Sequence, residues 1–316
     1  MFASDLSQVR VAETQLDWRV EFGAWLRNTP SQRRRQRDVK SLDAYERDVR
    51  LMAQWYQAHY EVEFEPAQMN TVNLQEYFVQ FEKSPRTHKR KLASARLLIK
   101  WALSVGLLEE DPSAWIPFVE VVEEAPRDLL PDEERRLRAV AEARESDGSL
   151  LGLRDSLLFH LWLDAGLRIS ESVNLKLDDL EKLEKGKIHV FGKGSKNRNP
   201  HVKSTLANRI RLWLDRMPVS VEGTLITDER GLAIDRHTAW ERFNSMTDAA
   251  GVVATPHTMR HQFVMNYIGA YMQGNPLRFG AALKAAAQET GDNVEVLLNH
   301  YTGPRESEMR AAVEAM

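Results

Sequence analysis

Four short segments in the second half of this 316-residue chain carry side chains able to do chemistry. Gly166-Leu167-Arg168-Ile169-Ser170-Glu171 places an arginine just after an apolar stretch. Gly192-Lys193-Gly194 sets a lysine at the tip of a turn. Thr255-Pro256-His257-Thr258-Met259-Arg260-His261 pairs a histidine with an arginine three residues on. Tyr301-Thr302-Gly303 precedes a charged C-terminal segment. Singly, these have ordinary explanations: a salt-bridged arginine at a helix end, a plain turn, a structural histidine–arginine pair. Their order and spacing together are far more specific. Arg168, Lys193, His257, Arg260 and Tyr301 bring guanidinium, ammonium, imidazole and phenol groups with no carboxylate among them. Such a set suits an anionic substrate, whose oxygens forked guanidinium donors can clamp.

Elements must position these groups, and the first half of the chain reads as helices. Residues 1–30 carry an amphipathic pattern (Leu16, Val20, Trp25, Leu26) closed by Pro30. Ser41 can cap a helix with Leu42, Tyr45, Val49, Met52 and Tyr56 on one face. Residues 73–82 give a short helix, and residues 87–105 a long one with Leu92, Ala95, Leu98, Ile99 and Ala102 as its stripe, ended by Gly106 and Asp111-Pro112. Three prolines and an acidic run over 117–131 read as a linker. Beyond it, helices are expected from Pro131, over 153–166, and at about 204–217, 235–250, 256–272, 277–289 and 304–315. Residues 187–191 alternate as a strand, and 198–202 can return as its hairpin partner. The expected architecture is mainly α with a small β-hairpin, in two domains: an N-terminal helical extension (1–30), a helical domain (31–118), a linker (119–131), and a mixed α+β domain (132–316).

Composition limits what such a chain can do. With 43% hydrophobic and 28% charged residues it is ordinary for a globular protein, so wholesale disorder is not expected. The absence of cysteine excludes disulfides, cysteine-ligated zinc and a thiol nucleophile. No apolar run is long enough to span a membrane, and the N-terminus lacks the pattern of a signal peptide, so a cytoplasmic location is expected. The net charge of −3 argues against a polyanionic partner only as an average. Residues 119–147 hold 5 basic and 10 acidic side chains, which supply the acidic excess. Residues 83–108 hold seven basic residues and no acid, and residues 182–216 hold ten basic residues against two acids. Screening acts over roughly 8–10 Å, so the acidic segment does not cancel these faces.

Across residues 38–316 the chain resembles the tyrosine recombinase (phage-type integrase) family. Residues 41–116 look like the family's helical core-binding domain. Arg168 matches the first family arginine, Lys193 the hairpin lysine, His257 and Arg260 the HxxR box, and Tyr301 the nucleophile. The resemblance implies a two-domain DNA clamp with a helical core-binding domain and an integrase catalytic domain. It implies strand cleavage through a 3′-phosphotyrosyl link, with no metal or other cofactor. Phenol is a weak nucleophile and must be activated by its surroundings. Arg168 and Arg260 would hold the non-bridging oxygens, Lys193 would protonate the departing 5′ oxygen, and His257 would bond the phosphate or take the tyrosine proton. Glu171, one turn beyond Arg168, would orient it.

One position departs from the family, which carries a second histidine or tryptophan after a glycine upstream of the tyrosine. In one register Gly291-Asp292 fills that place, nine residues before Tyr301, and a carboxylate there would repel phosphate. His300 could then substitute for the missing imidazole. In the other register Leu298-Asn299-His300 fills it and the nucleophile position falls on Met309, which cannot attack phosphate. The stretch from Arg260 to Tyr301 is also long for the family, with an apparent insertion over 272–287. Tyr267 and Tyr271 are read as core.

The expected partner is duplex DNA carrying a specific recombination site. Arg86, Lys89, Arg90 and Lys91 would face it from one domain, and Lys196, Arg198 and Lys203 from the other; Thr87, His88 and residues 236–242 are candidates for base readout. The resemblance further implies a tetramer on synapsed DNA and accessory recombination proteins, in a nucleoid-associated setting. Two rivals remain open: a catalytically decayed DNA-binding accessory protein, and a type IB topoisomerase-like relaxing enzyme.

Overall fold

The computed structural model of the chain describes residues 17–30, 39–117, 128–192 and 197–301, without the side chains of Lys40, Asn299, His300 and Tyr301. It divides into two compact units, residues 1–123 and 124–316. The described part of the first unit is helical: α1 (Trp18–Asn28), α2 (Val39–Tyr60), α3 (Thr71–Val79) and α4 (Pro85–Ser104). Trp18, Phe22 and Leu26, four residues apart, bring one face of α1 into the same core as Val49 and Met52 of α2, Leu74 and Tyr77 of α3, and Leu92, Leu98, Ile99 and Trp101 of α4. Val20, expected on the apolar face of α1, points to solvent. Helix α2 begins at Val39, so Ser41 lies within its first turn and does not cap it. Asn70 caps α3 by accepting from the Asn73 backbone N–H at 3.0 Å while Asn73 Oδ1 accepts from the Asn70 N–H at 3.1 Å.

The basic start of α4 does not present all its cations outward. Arg86, Lys89 and Arg90 are exposed, but Lys91 is buried. Its Nζ donates to Tyr77 Oη at 3.2 Å, sits 3.8 Å from Asp48 Oδ1, and lies 5.0 Å from the Phe81 ring centroid. Burial pushes the ammonium's pKa down and the Asp48 carboxylate pulls it back. Asp48 also binds the Arg90 guanidinium and accepts from Ser94 Oγ at 3.0 Å. Lys91 is therefore a core cation and not a DNA contact, a correction that follows from its place on the inner face of α4. His88 is buried too, stacked on Phe78 at 4.9 Å, which withdraws it from base readout.

The second unit is built around α6 (Leu150–Leu163), preceded by α5 (Pro131–Ser146). Every residue of α6 from Gly152 to Leu163 is buried, so its near-continuous apolar run has no solvent face. Ser149 starts it, its hydroxyl accepting from the Gly152 N–H at 2.9 Å. Around α6 lie α5, α8 (Ser204–Arg216), α9 (Arg236–Ala250) and α10 (Pro256–Met272). The short α7 (Ile169–Val173) follows α6, and the sheet is the antiparallel pair β1 (Val190–Phe191) and β2 (Asn197–Arg198), shorter than the alternation predicts. Lys187 and His201 extend it only as an isolated bridge. The segment 272–287 largely becomes α11 (Phe279–Thr290), followed by α12 (Val294–Tyr301); Ala282, Leu283, Ala286 and Leu297 form a satellite core with Phe263, Val264 and Ile268 of α10. Buried Asp155 holds Arg144 and Arg242, each at 2.7 Å, so Arg242 is engaged inside the unit and not free for base readout. The helix expected at 304–315 lies outside the described residues.

Replacing Asp48 by alanine should strand Lys91 in the core and cost about 3 kcal/mol. The measurement is the urea transition of the full chain followed by tryptophan fluorescence; an unmoved transition would exclude Asp48 as the anchor of α4.

Candidate active site

The centre of the candidate site is the carboxylate of Glu171, in the first turn of α7. Its side chain is 5% exposed. Oε2 accepts from the Arg168 backbone N–H at 2.8 Å, which closes the start of α7, and Oε1 accepts from Arg168 Nη1 at 2.8 Å. Arg198 of β2 grips the same carboxylate with both terminal nitrogens, at 2.9 and 2.7 Å. Arg260 Nη1 lies 3.7 Å from Oε2. Burial alone would raise the carboxyl pKa. The Arg198 hydrogen bonds and charge, then the Arg168 N–H and charge, outweigh it and bring the pKa to about 2.

Arg260, on the first turns of α10, has a side chain 3% exposed. Its Nη1 donates to the Gly166 carbonyl, and its Nη2 to the Thr290 carbonyl at 2.7 Å and to Asp292 Oδ2 at 2.6 Å. Desolvation lowers its pKa while the Asp292 charge supports it. The Glu289 carbonyl accepts from Arg198 Nε at 2.8 Å. The C-terminal carbonyls of α11 are thus directed at two guanidiniums, the arrangement a helix dipole favours. Gly291 makes this approach possible. It ends α11 with φ +69°, and a Cβ there would stand 3.2 Å from Arg198 Cδ. Gly166 is likewise left-handed, at φ +62°, and any side chain would collide with the Phe263 ring.

Asp292 completes the cluster. One carboxylate oxygen binds Arg168 Nη2 and the other binds Arg260 Nη2. The two arginines, far apart in sequence, therefore converge on one anionic group. The five motif residues bring no carboxylate of their own, but Asp292, which one of the two registers sets beside them, stands with both arginines.

Arg198 requires a second correction. It was expected to contact DNA from the hairpin, but it is buried and spends its donors on Glu171 and the Glu289 carbonyl. The signal lay in the register: Arg198 pairs with the buried Val190 across the sheet, so it occupies the inward position. Glu289, missed by the sequence reading, supports the hairpin by accepting from the His201 N–H at 2.8 Å, and one of its oxygens lies 2.7 Å from His201 Nδ1. His257 is exposed in the first turn of α10, which Thr255 caps by accepting from the Thr258 N–H at 3.1 Å. Lys203 is exposed at the start of α8, 3.6 Å from Asp164. Lys193 and Lys196 lie outside the described residues, as do the side chains of His300 and Tyr301, although α12 carries the backbone to Tyr301. Tyr267 packs against the satellite core as expected, but Tyr271 is 42% exposed and not core. Among the described residues no three His, Asp or Glu side chains converge as a metal site would require.

Because the Glu171 carboxyl is held low, its stabilising contribution is fully present above pH 4.5 and is lost as the pH falls toward about 2. The penalty of Glu171→Gln should therefore be largest near neutral pH, on the order of 3 kcal/mol, and shrink through the acid range. Urea titrations of both proteins from pH 7 to pH 2.5 check this; a penalty independent of pH would contradict it.

Residues 127–277 match the phage integrase family. Tyrosine recombinase XerC of Xanthomonas campestris pv. campestris is 28% identical over 239 residues, covering 74% of this chain and 72% of the relative. Tyrosine recombinase XerD of Pseudomonas aeruginosa is 31% identical over 194 residues, covering 58% of this chain and 62% of the relative. The Tn1549 transposon integrase in complex with transposon right end DNA shares the fold with a TM-score of 0.66 at 17% identity, over 94% of this chain and 98% of that one. XerH site-specific recombinase bound to a palindromic difH substrate gives 0.64 at 15% identity, over 93% and 95%. The family match falls on the unit that holds the arginine–carboxylate cluster, and together with the XerC and XerD likenesses it supports the tyrosine recombinase family for this chain.

Proposed function

We propose that this protein is a site-specific DNA recombinase that cuts and rejoins strands through a 3′-phosphotyrosyl intermediate. One observation carries the reading: Arg168 and Arg260 share a single carboxylate, one oxygen each. Two guanidiniums so spaced can take the two non-bridging oxygens of one phosphodiester. In the proposed step the Tyr301 hydroxyl oxygen attacks phosphorus and gives up its proton, with His257 as its proposed acceptor. The bond from phosphorus to the 5′ oxygen breaks, and Lys193 protonates the leaving oxygen. The free 5′ hydroxyl of a partner strand reverses the sequence, so the bond energy is retained and no nucleotide is consumed. Glu171 is a positioning residue for both arginines.

The proposed partner is duplex DNA with a defined recombination site, engaged by several copies of the chain, with accessory proteins setting direction. Mobilisation of a genetic element, in association with the nucleoid, fits this activity. The proposed domain division is the helical region up to 118, the linker, and the catalytic part from 132. Among the cations expected at DNA, Arg86 and Lys89 on α4 and Lys203 at α8, the last 3.6 Å from Asp164, are exposed and are the proposed backbone contacts.

A nicked duplex selected for binding to the protein tests the chemistry. The wild-type chain should form a covalent adduct that survives denaturation. Tyr301→Phe should form none, and Arg260→Ala should slow it by about 10²–10³-fold. An adduct persisting in Tyr301→Phe would remove that residue from the mechanism. Specific binding with no adduct in any variant would favour the accessory-protein reading that Asp292 raises. For the interface, Arg86→Ala with Lys89→Ala should weaken DNA binding and reduce the salt slope by about 2, whereas Lys91→Ala should leave the slope unchanged and lower stability.

A further inference from the structure

We propose that Asp292 is a resident counter-anion that fills the phosphate seat of the free protein, so that a scissile phosphate enters only by displacing it. The inference rests on the reading of Arg168 and Arg260 as the phosphate clamp. Donor accounting carries it. A guanidinium offers two protons on each terminal nitrogen. Both Nη2 protons of Arg260 are spent, one on the Thr290 carbonyl and one on Asp292, and Nη1 serves the Gly166 carbonyl with Glu171 behind it. The carbonyl bonds belong to the fold, since they come from the last residue of α11 and from the turn that follows α6. The bond to the Asp292 side chain is the one that a rotation can release.

Accessibility agrees. The Arg260 side chain is 3% exposed, Asp292 19% and Arg168 36%. Arg168 is open to an incoming anion on part of its surface, whereas Arg260 is covered and Asp292 is the more exposed partner of that pair. The carboxylate also has the right chemistry for a stand-in: two oxygens on one centre, singly negative, taking one guanidinium each, as a phosphodiester monoanion would. The backbone on either side is anchored, by Gly291 closing α11 and by the Leu297 N–H donating to the Asn293 carbonyl at 3.1 Å at the start of α12. The release is therefore a side-chain rotation of Asp292 and needs no unfolding of the loop.

Two consequences follow from electrostatics. The empty clamp is neutralised by the chain itself, which relieves the repulsion between Arg168 and Arg260. The same carboxylate competes with every anion that approaches, so isolated phosphates are excluded and only a phosphodiester delivered by DNA bound elsewhere on the protein is held strongly enough to displace it. Asp292 thus acts as a selectivity residue for phosphate presented in duplex DNA.

The experiment uses the full-length protein free of DNA, with inorganic phosphate as the probe, read by thermal melting and by ³¹P line broadening. The wild-type chain should show no saturable response in the millimolar range. Asp292→Asn should bind phosphate at least about tenfold more tightly, and adding Arg168→Gln to that variant should abolish the gain. Asp292→Ser serves the same purpose should the asparagine variant fail to fold. No gain in phosphate binding in either Asp292 variant, or a gain that survives Arg168→Gln, overturns the proposal. The nicked-duplex assay separates this from the function: phosphate gain with no covalent adduct in wild type or Asp292→Asn leaves the seat assignment standing and removes the recombinase reading.

Discussion

Glu171 is a carboxylate withdrawn from water and surrounded by guanidiniums, and the second unit is arranged around what that withdrawal requires. Removing such a charge from solvent costs several kcal/mol unless its oxygens are saturated with donors. Here Arg168 and Arg198 supply those donors, and Arg260 adds its charge. The three come from α7's start, from the hairpin and from α10. One anion therefore ties together the segment after the central helix, the sheet, and the helix that holds the histidine–arginine pair. The pKa direction at Glu171 expresses the same fact: the fold around it is built for the ionised form.

The arginines bring their own excess, because three guanidiniums exceed one carboxylate. The protein meets it in two ways. The C-terminal carbonyls of α11 face Arg198 and Arg260, giving partial negative charge without an ion. Asp292 then closes the remaining pair with a full charge. The difference matters for function, since backbone carbonyls at a capped helix end cannot move away from the site, whereas a side chain on a three-residue connection can. The preorganised part and the exchangeable part of the site are thus made from different materials.

Charge elsewhere divides in the same manner. The basic residues of α4 and of the hairpin read alike in the sequence, as faces for a polyanion. In the folded chain some are engaged by internal anions, Lys91 and the still exposed Arg90 by Asp48 and Arg198 by Glu171, while Arg86, Lys89 and Lys203, the last beside Asp164, remain exposed. The weak net charge is compatible with nucleic-acid binding because the cations that count are those left outside.

Local order decided much of this protein. The spacing of apolar residues gave the helices of both units, because an amphipathic or wholly apolar period is a property of neighbours along the chain. Turn and cap chemistry set their ends within a few residues, with Ser41 the failure: α2 already includes Val39, so Ser41 lies inside the helix and not at its cap. Arg168 and Arg260 were legible for the same reason, each lying in a short motif, and the structure brings these two together. What only the tertiary structure decided was which charges meet. Asp292 lies 124 residues from Arg168 and 32 from Arg260, and its role as their shared partner depends on how α7, α10 and the end of α11 pack. Ion pairing acts through space and is strengthened by burial, and neither separation in space nor burial is written in the spacing along a chain. The residue that looked in the sequence like a fault in the motif is, in the fold, the group that holds both arginines.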